Sequence, residues 1–348
     1  MSNRAEEVAR AVLYEGYILY PYRPSSVKNQ QRWNFGVVYP AGSSEGSARM
    51  QTQCLALVHS NAAELDVKIS FLQLTDRTIR ELDELDAELT DGPEPASHPE
   101  ARAECCGKIY QSWQEGVVRE IEQNHCRLDE IAVHPVRAKF SFPGSRTIEP
   151  VRDESGQLAL LIVREQQDLD GSVEIFAEPL GKDLWRVTVR LENVTVNQNQ
   201  PQTRDGALLR SLVSAHKILT IREAEFVSLI DPPEFSAHIA EQCKNVGTFP
   251  VLAGEEGQHD VMLSSPIILY DYPQIAPESA GDLCDGTEID EILSLRILTL
   301  TDEEKREMRQ SDERGRRILE RTESLQEEQW MKLHGVLRGL RPSNEVIQ

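Results

Sequence analysis

Positive charge, aromatic side chains and long apolar runs are all scarce in this 348-residue sequence. Lysine and arginine number 37 against 58 aspartates and glutamates, a formal charge of −21. Sequence-independent nucleic-acid binding needs cations that displace counterions from phosphate, and docking on anionic lipid needs the same sign. Both are therefore excluded as expectations. Aromatic residues make up 6% and mean hydropathy is −0.44, so parts of the chain are expected to be exposed or loosely packed. No stretch approaches the roughly 18 apolar residues that span a bilayer. The early apolar run Ala11 to Leu13 is interrupted by Glu15, with no small-residue cleavage site after it. A leaderless, cytoplasmic protein without a membrane span is the expectation.

Chemical signatures are equally sparse. The six cysteines, Cys54, Cys105, Cys106, Cys126, Cys243 and Cys284, form no C-x-x-C pair and read as reduced thiols, not a disulfide framework. Glycines are scattered singly, without a phosphate-cradling or dinucleotide pattern, and there is no G-x-S-x-G elbow. No cofactor is implied.

What is present is alternation. Met50 to His59, Asp66 to Leu74, Lys108 to Ile121, Val136 to Phe142, Leu158 to Arg164 and Ser172 to Glu178 read as strands. Leu184 to Val194 is the clearest, with Trp185, Val187, Val189 and Leu191 opposite Arg186, Thr188, Arg190 and Glu192. Such a strand packs one face and wets the other. Arg32 to Tyr39 reads as a further strand, Lys217 to Ile230 as two short ones around Glu223, and Val261 to Tyr270 as another. Helices are expected over Ala5 to Leu13, Ala207 to Ala215 and Pro232 to Asn245. The last would be capped by Asp231 and carry an apolar stripe of Phe235, Ile239 and Cys243. Thr301-Asp302-Glu303-Glu304 is a capping box opening a charged helix to about Ser324.

These elements predict an α+β protein, with an antiparallel β-sandwich or barrel-like core and C-terminal helices. Length favours two domains over one. Segments divide into a β-rich 1–80, an acidic, proline-rich linker or loop at 81–104, a sandwich-like 105–200, a mixed α/β 201–300 packing on the core, and charged helices over 301–348. Asp302 to Arg341 is charge-balanced, so the negative excess lies in the body.

Three groups of residues carry candidate chemistry. Tyr17, Tyr20, Tyr22, Arg23, Arg32 and Trp33 form a locally basic, aromatic segment on an acidic chain. These residue types dominate binding hot spots; the alternative is that Tyr17, Tyr20 and Trp33 are core side chains. A second group is acidic: Asp271, Glu278, Asp282, Asp285, Glu288 and Asp290, with Glu291 beside them. Their spacing does not fit an EF-hand, and solvation or capping is the alternative to an oxygen-ligand metal or general-acid site. Third, Cys105, Cys106, His125, Cys126 and His134 are zinc- or nickel-ligating types without the usual ligand spacing, so metal content stays open. His216 and His238 lie in or beside expected helices, where a general base is one reading and a satisfied histidine the other.

Two stretches bear a resemblance. One runs Leu13-Tyr14-Glu15-Gly16-Tyr17 through Tyr20-Pro21-Tyr22-Arg23-Pro24 to Arg32-Trp33-Asn34-Phe35-Gly36-Val37. The other runs from Leu263-Ser264-Ser265-Pro266 through Tyr270-Asp271-Tyr272-Pro273 and Gly281-Asp282 to Thr287-Glu288-Ile289-Asp290-Glu291-Ile292-Leu293. Together they resemble an uncharacterised bacterial family encoded beside high-affinity uptake nickel–iron hydrogenases, over a span from about Val12 to the C-terminal helix. The resemblance implies a context, not a reaction: a non-catalytic accessory or assembly factor that binds a hydrogenase subunit or maturation protein. Nickel or iron handling, and a hydrolase using the acidic residues, are the other expectations.

Overall fold

The computed structural model describes residues 3–14, 32–83, 94–181, 183–196, 203–274, 297–311 and 313–324. It is an α+β protein whose strands are paired antiparallel throughout. Of the two expected architectures the sandwich is the one built; neither sheet closes into a barrel.

The smaller sheet has the order β13 (Ala224–Val227), β1 (Arg49–Val58), β11 (Leu184–Asn193), β10 (Leu169–Pro179) and β7 (Val136–Phe142). The larger is ordered β14 (Phe249–Ala253), β15 (Val261–Ser265), β12 (Val213–Arg222), β2 (Glu64–Leu82), β9 (Leu158–Gln166) and β8 (Ser145–Arg152). β3 (Ser97–Glu100) and β6 (Trp113–Arg127) also pair with β2, and β4 (Arg102–Cys105) with β5 (Lys108–Gln111) makes a separate hairpin. Strands from 1–80, 105–200 and 201–300 are thus interleaved within both sheets.

β2 is 19 residues long and double-edged. On one edge it pairs with β12 from Glu64 to Leu72, then with β9 from Thr75 to Glu81. On the other it pairs with β6 from Glu64 to Arg77, then with β3 from Ile79 to Leu82. The strand legible over Asp66 to Leu74 therefore continues for eight residues more.

Period-two alternation places the main core between the sheets. Cys54 and Ala56 of β1, Val173 and Ile175 of β10, and Val187, Val189 and Leu191 of β11 meet Leu65, Val67, Ile69 and Phe71 of β2 and Leu219 of β12. The large sheet's outer face is covered too. Helix α1 (Asn3–Leu13) lays Ala5, Val8, Ala9 and Val12 on Ile218, Val251, Val261 and Leu263. Further along, Leu72, Leu74 and Trp113 pack with Trp33, Leu208, Met308, Ile318 and Leu319.

Several elements differ from the sequence reading, each for a local reason. Arg32 to Tyr39 is not a strand; Trp33 and Gly36 take positive φ, and only Val38 bridges, to Leu212. The helix expected over Ala207 to Ala215 is α3 (Arg204–Leu208), because Val213 onward is claimed by pairing with β2. α2 (Leu128–Val133) follows β6 directly. α4 is shorter than expected (Glu234–Ala240); Pro233 holds its N-cap position without a side-chain bond, while Phe235 of the expected stripe is exposed. The strand at Val261 stops at Ser265, where Pro266 removes a donor, and Ile268 and Tyr270 point outward. The capping box is present: Thr301 N–H donates to Glu304 Oε2 (2.8 Å) and Glu304 N–H to Thr301 Oγ1 (3.2 Å). It opens not one helix but two that pack together, α5 (Asp302–Ser311) and α6 (Glu313–Ser324), tied by Arg309 to Glu323 at 2.6 Å. Glu223 takes φ 54°, and the chain leaves the large sheet for the small one there, as the two-strand reading around it anticipates.

One core side chain is charged by type. Lys217 of β12 points between the sheets with no exposure, and its Nζ donates to Thr52 Oγ1 at 3.2 Å. The Thr52 hydroxyl meets Ser264 Oγ at 2.6 Å, which meets Thr248 Oγ1 at 2.6 Å. Burial without a carboxylate pushes the ammonium pKa down to about 7. Between pH 7 and the ordinary lysine value of about 10.5 the unfolded chain therefore binds more protons at this site, so stability rises with pH across that window. Lys217→Met is expected to be more stable than wild type at pH 7. The advantage should be at most about 3–5 kcal/mol and should shrink toward pH 10. Thermal melts of both proteins across this range test it, and a destabilised variant at pH 7 would contradict it.

Candidate functional site

Two clefts open along the outer face of the large sheet, both floored by β2. The first, of about 170 Å³, lies beneath α1. Glu6 and Arg10 of the helix face Lys68 and Ser70 of β2, Glu120 of β6 and His216 of β12. Lys68 Nζ is held by Glu120 at 3.1 Å and by Glu6 at 3.8 Å, so its charge closes the helix onto the sheet. His216 is buried with Nδ1 3.1 Å from the Ser214 carbonyl, and burial lowers its pKa to about 4. It is a buried imidazole with a lowered pKa, poorly matched to a general base at neutral pH. His238, in contrast, is solvent-facing on α4, 3.9 Å from Glu241.

The second cleft is larger, about 470 Å³, and more open. Its floor is Asp76 of β2 with Trp113 and Gln114 at the start of β6; its wall is Arg32 and Trp33, with Arg204, Asp205 and Leu209 around α3. Arg32 is 6% and Trp33 2% exposed. The Arg32 guanidinium stacks on the Trp113 ring, 3.2 Å from its centroid, and donates to the Gln114 carbonyl at 3.0 Å. Trp33 Nε1 donates to Gln114 Oε1 at 3.2 Å. Arg204 donates to the carbonyls of Arg32 (2.7 Å) and Trp33 (3.3 Å) and to Asn34 Oδ1 (2.7 Å). Three residues of the irregular 32–34 segment are thus pinned to strands and helix far away in sequence.

This arrangement leaves two polar groups unspent. The Trp113 indole N–H is buried with no acceptor among the described residues. Asp76 lies across from Gln114 on one side and Glu165 on the other. Burial foremost, then the nearby Glu165 and Asp205 carboxylates, raises its pKa. A crowded carboxylate on the floor of an open cleft suits a cationic side chain.

Other sequence candidates are dispersed. Tyr17, Tyr20, Tyr22 and Arg23 lie outside the described residues, as do Glu278, Asp282, Asp285, Glu288 and Asp290. Asp271 is a structural acceptor: Ser228 Oγ donates to Oδ2 at 2.5 Å and Leu252 N–H to Oδ1 at 2.8 Å. Cys105 and Cys106 are neighbouring free thiols, 3.7 Å apart at the β4–β5 turn, while Cys126 is in the main core. His125 pairs with Glu64 at 3.2 Å, and His134 follows α2. These cysteines and histidines do not converge.

Asp76, Trp113, Gln114 and Arg204 were not marked by the sequence. Their meeting depends on strand register and on contacts more than 80 residues apart, which local pattern does not carry. The chain matches no protein-family model, and comparison with curated proteins gives no match.

Arg32→Lys keeps the charge but loses the stack on Trp113 and the planar fork. A fall in stability of about 1–2 kcal/mol is expected, read as a lower denaturation midpoint with an unchanged slope. An unchanged midpoint would show that the stack contributes nothing.

Proposed function

We propose that this chain is a non-catalytic accessory or assembly factor for a nickel–iron hydrogenase, acting in the cytoplasm, and that the tryptophan-lined cleft holds a segment of its protein partner. The resemblance supplies the context: a hydrogenase subunit or maturation protein. The observation that carries the docking site is the Asp76 carboxylate on the cleft floor, whose partial burial and neighbouring Glu165 and Asp205 carboxylates raise its pKa. A partner loop presenting a lysine or arginine to this carboxylate satisfies it. Charge points the same way, since a protein of −21 attracts cationic segments at long range.

The tagged full chain, purified from its native host, should bring down a hydrogenase subunit or maturation component. Asp205→Lys, at an exposed position on the cleft rim, and Asp76→Asn should each reduce that recovery at least tenfold without lowering the thermal melt. Recovery of the protein with no hydrogenase component would overturn the assignment of partner. Undiminished recovery with both variants would overturn the assignment of cleft.

A further inference from the structure

The distal end of β2 carries a cluster that neither the tryptophan cleft nor the accessory-factor reading uses. Glu81 of β2 lies directly opposite His98 of β3, and Glu100 lies diagonally, opposite Ile79. With a side-chain period of two, Glu81, Asp83, His98 and Glu100 share one face of this two-strand ladder. Arg80 is on the other face, where its Nε donates to Ser97 Oγ at 2.9 Å. It therefore does not neutralise the carboxylates. Among the described residues, the only cationic or cationisable partner of Glu81, Asp83 and Glu100 is His98. Pro99 biases His98 toward extended backbone, which directs the imidazole across the ladder toward Glu81.

The imidazole is oriented as well as placed. Asp83 Oδ1 lies 2.8 Å from His98 Nδ1, so Nδ1–H donates to that carboxylate and Nε2 is turned to the other two. Nε2 is 3.4 Å from a Glu100 oxygen and 4.0 Å from a Glu81 oxygen, and one ligand atom from each of the three residues lies within 4.8 Å of the others. An ion held at about 2.0–2.2 Å by tetrahedral ligands sets them roughly 3.3–3.6 Å apart. The Glu100 separation already fits, and a small rotation of the Glu81 side chain closes the rest. Carboxylate to Nδ1 with a ligand-directed Nε2 is the outer-shell arrangement that fixes metal-binding histidines.

We propose that Glu81, His98 and Glu100 bind one divalent first-row transition-metal ion, with Zn²⁺ as the reference ion and Asp83 as the residue that orients His98. One nitrogen and two carboxylate oxygens leave a fourth position for water or an exchangeable ligand. The half-exposed ladder gives the ion an open path in and out. The site stands apart from the thiols at Cys105 and Cys106, which would compete for the same ion and must be separated experimentally.

The test is calorimetric titration of the full chain with Zn²⁺ after chelator treatment and dialysis, repeated on four variants. One equivalent should bind wild type and Cys106→Ser alike. Affinity should fall at least tenfold in His98→Ala and in Glu100→Gln, and about 10- to 100-fold in Asp83→Asn. Circular dichroism of each variant reports retained fold. Equal affinity in wild type and His98→Ala, or loss of binding in Cys106→Ser alone, would overturn the assignment. So would the absence of any binding to wild type, in which case a protonated His98 holds the three carboxylates together. None of these outcomes depends on whether a hydrogenase component co-purifies.

Discussion

A 19-residue strand must satisfy backbone donors and acceptors along two edges, and most of the molecule is arranged to do this for β2. Four strands share the task, two in succession on each side: β12 then β9, β6 then β3. At about 3.3 Å per residue β2 reaches about 60 Å, longer than one sandwich layer needs. Its first half therefore belongs to the sandwich core, and its second half carries the β8–β9 and β4–β5 hairpins beyond it. The hand-over near Thr75, where β12 gives way to β9, leaves room for the tryptophan-lined cleft.

The polar places of the protein follow the same strand in order. Lys68 and Ser70 floor the cleft beneath α1, Asp76 floors the next, and Glu81 with Asp83 faces His98 at the far end. Near the strand's start, Arg222 clamps Asp66 at 2.5 Å and Glu64 at 2.8 Å, and these bonds raise its own pKa while lowering those of both acids. Among the described residues, acid at the start of β2 is thus neutralised by Arg222, Lys68 partway along serves Glu6 of α1 and Glu120 of β6 instead, and the far end has His98. The uncompensated charge accumulates toward Leu82.

Strand positions were largely legible in the sequence, because alternation is written locally. Val136 to Phe142 is β7 to the residue, and Leu184 to Val194 is β11 within one. Failures occur where tertiary pairing outranks local preference. Val213 to Ala215 reads as helix, but Val213 pairs with Leu72 of β2 and Ser214 and Ala215 bond to the Phe35 and Gly36 carbonyls, and Trp33 leaves the extended region to enter the core. Little of the tryptophan cleft could be read. Arg32 and Trp33 stood out as residue types, but Trp113, Asp76 and Arg204 join them only through register. His98 gave no signal in the sequence either; its neighbours Glu81 and Asp83 are distant until β2 and β3 pair. Cys105 and Cys106, conspicuous as a pair, turned out to sit on a hairpin turn away from the other candidate ligands.

Proline placement at the sheet margins has a consequence for self-association. β14 contains Pro250, β8 contains Pro150, β3 contains Pro99, and β7 is bracketed by Pro135 and Pro143. Each proline lacks the donor that an incoming chain would need to extend the sheet, and β13 is only four residues long. β6 is the exception: 15 residues without proline, and with Val117 and Val118 exposed. It is guarded instead by Glu115, Arg119, Glu120 and Glu122, and by a register shift opposite Leu65 and Val67. Resistance to fibrillar stacking along this margin is therefore electrostatic, and it weakens as salt concentration rises.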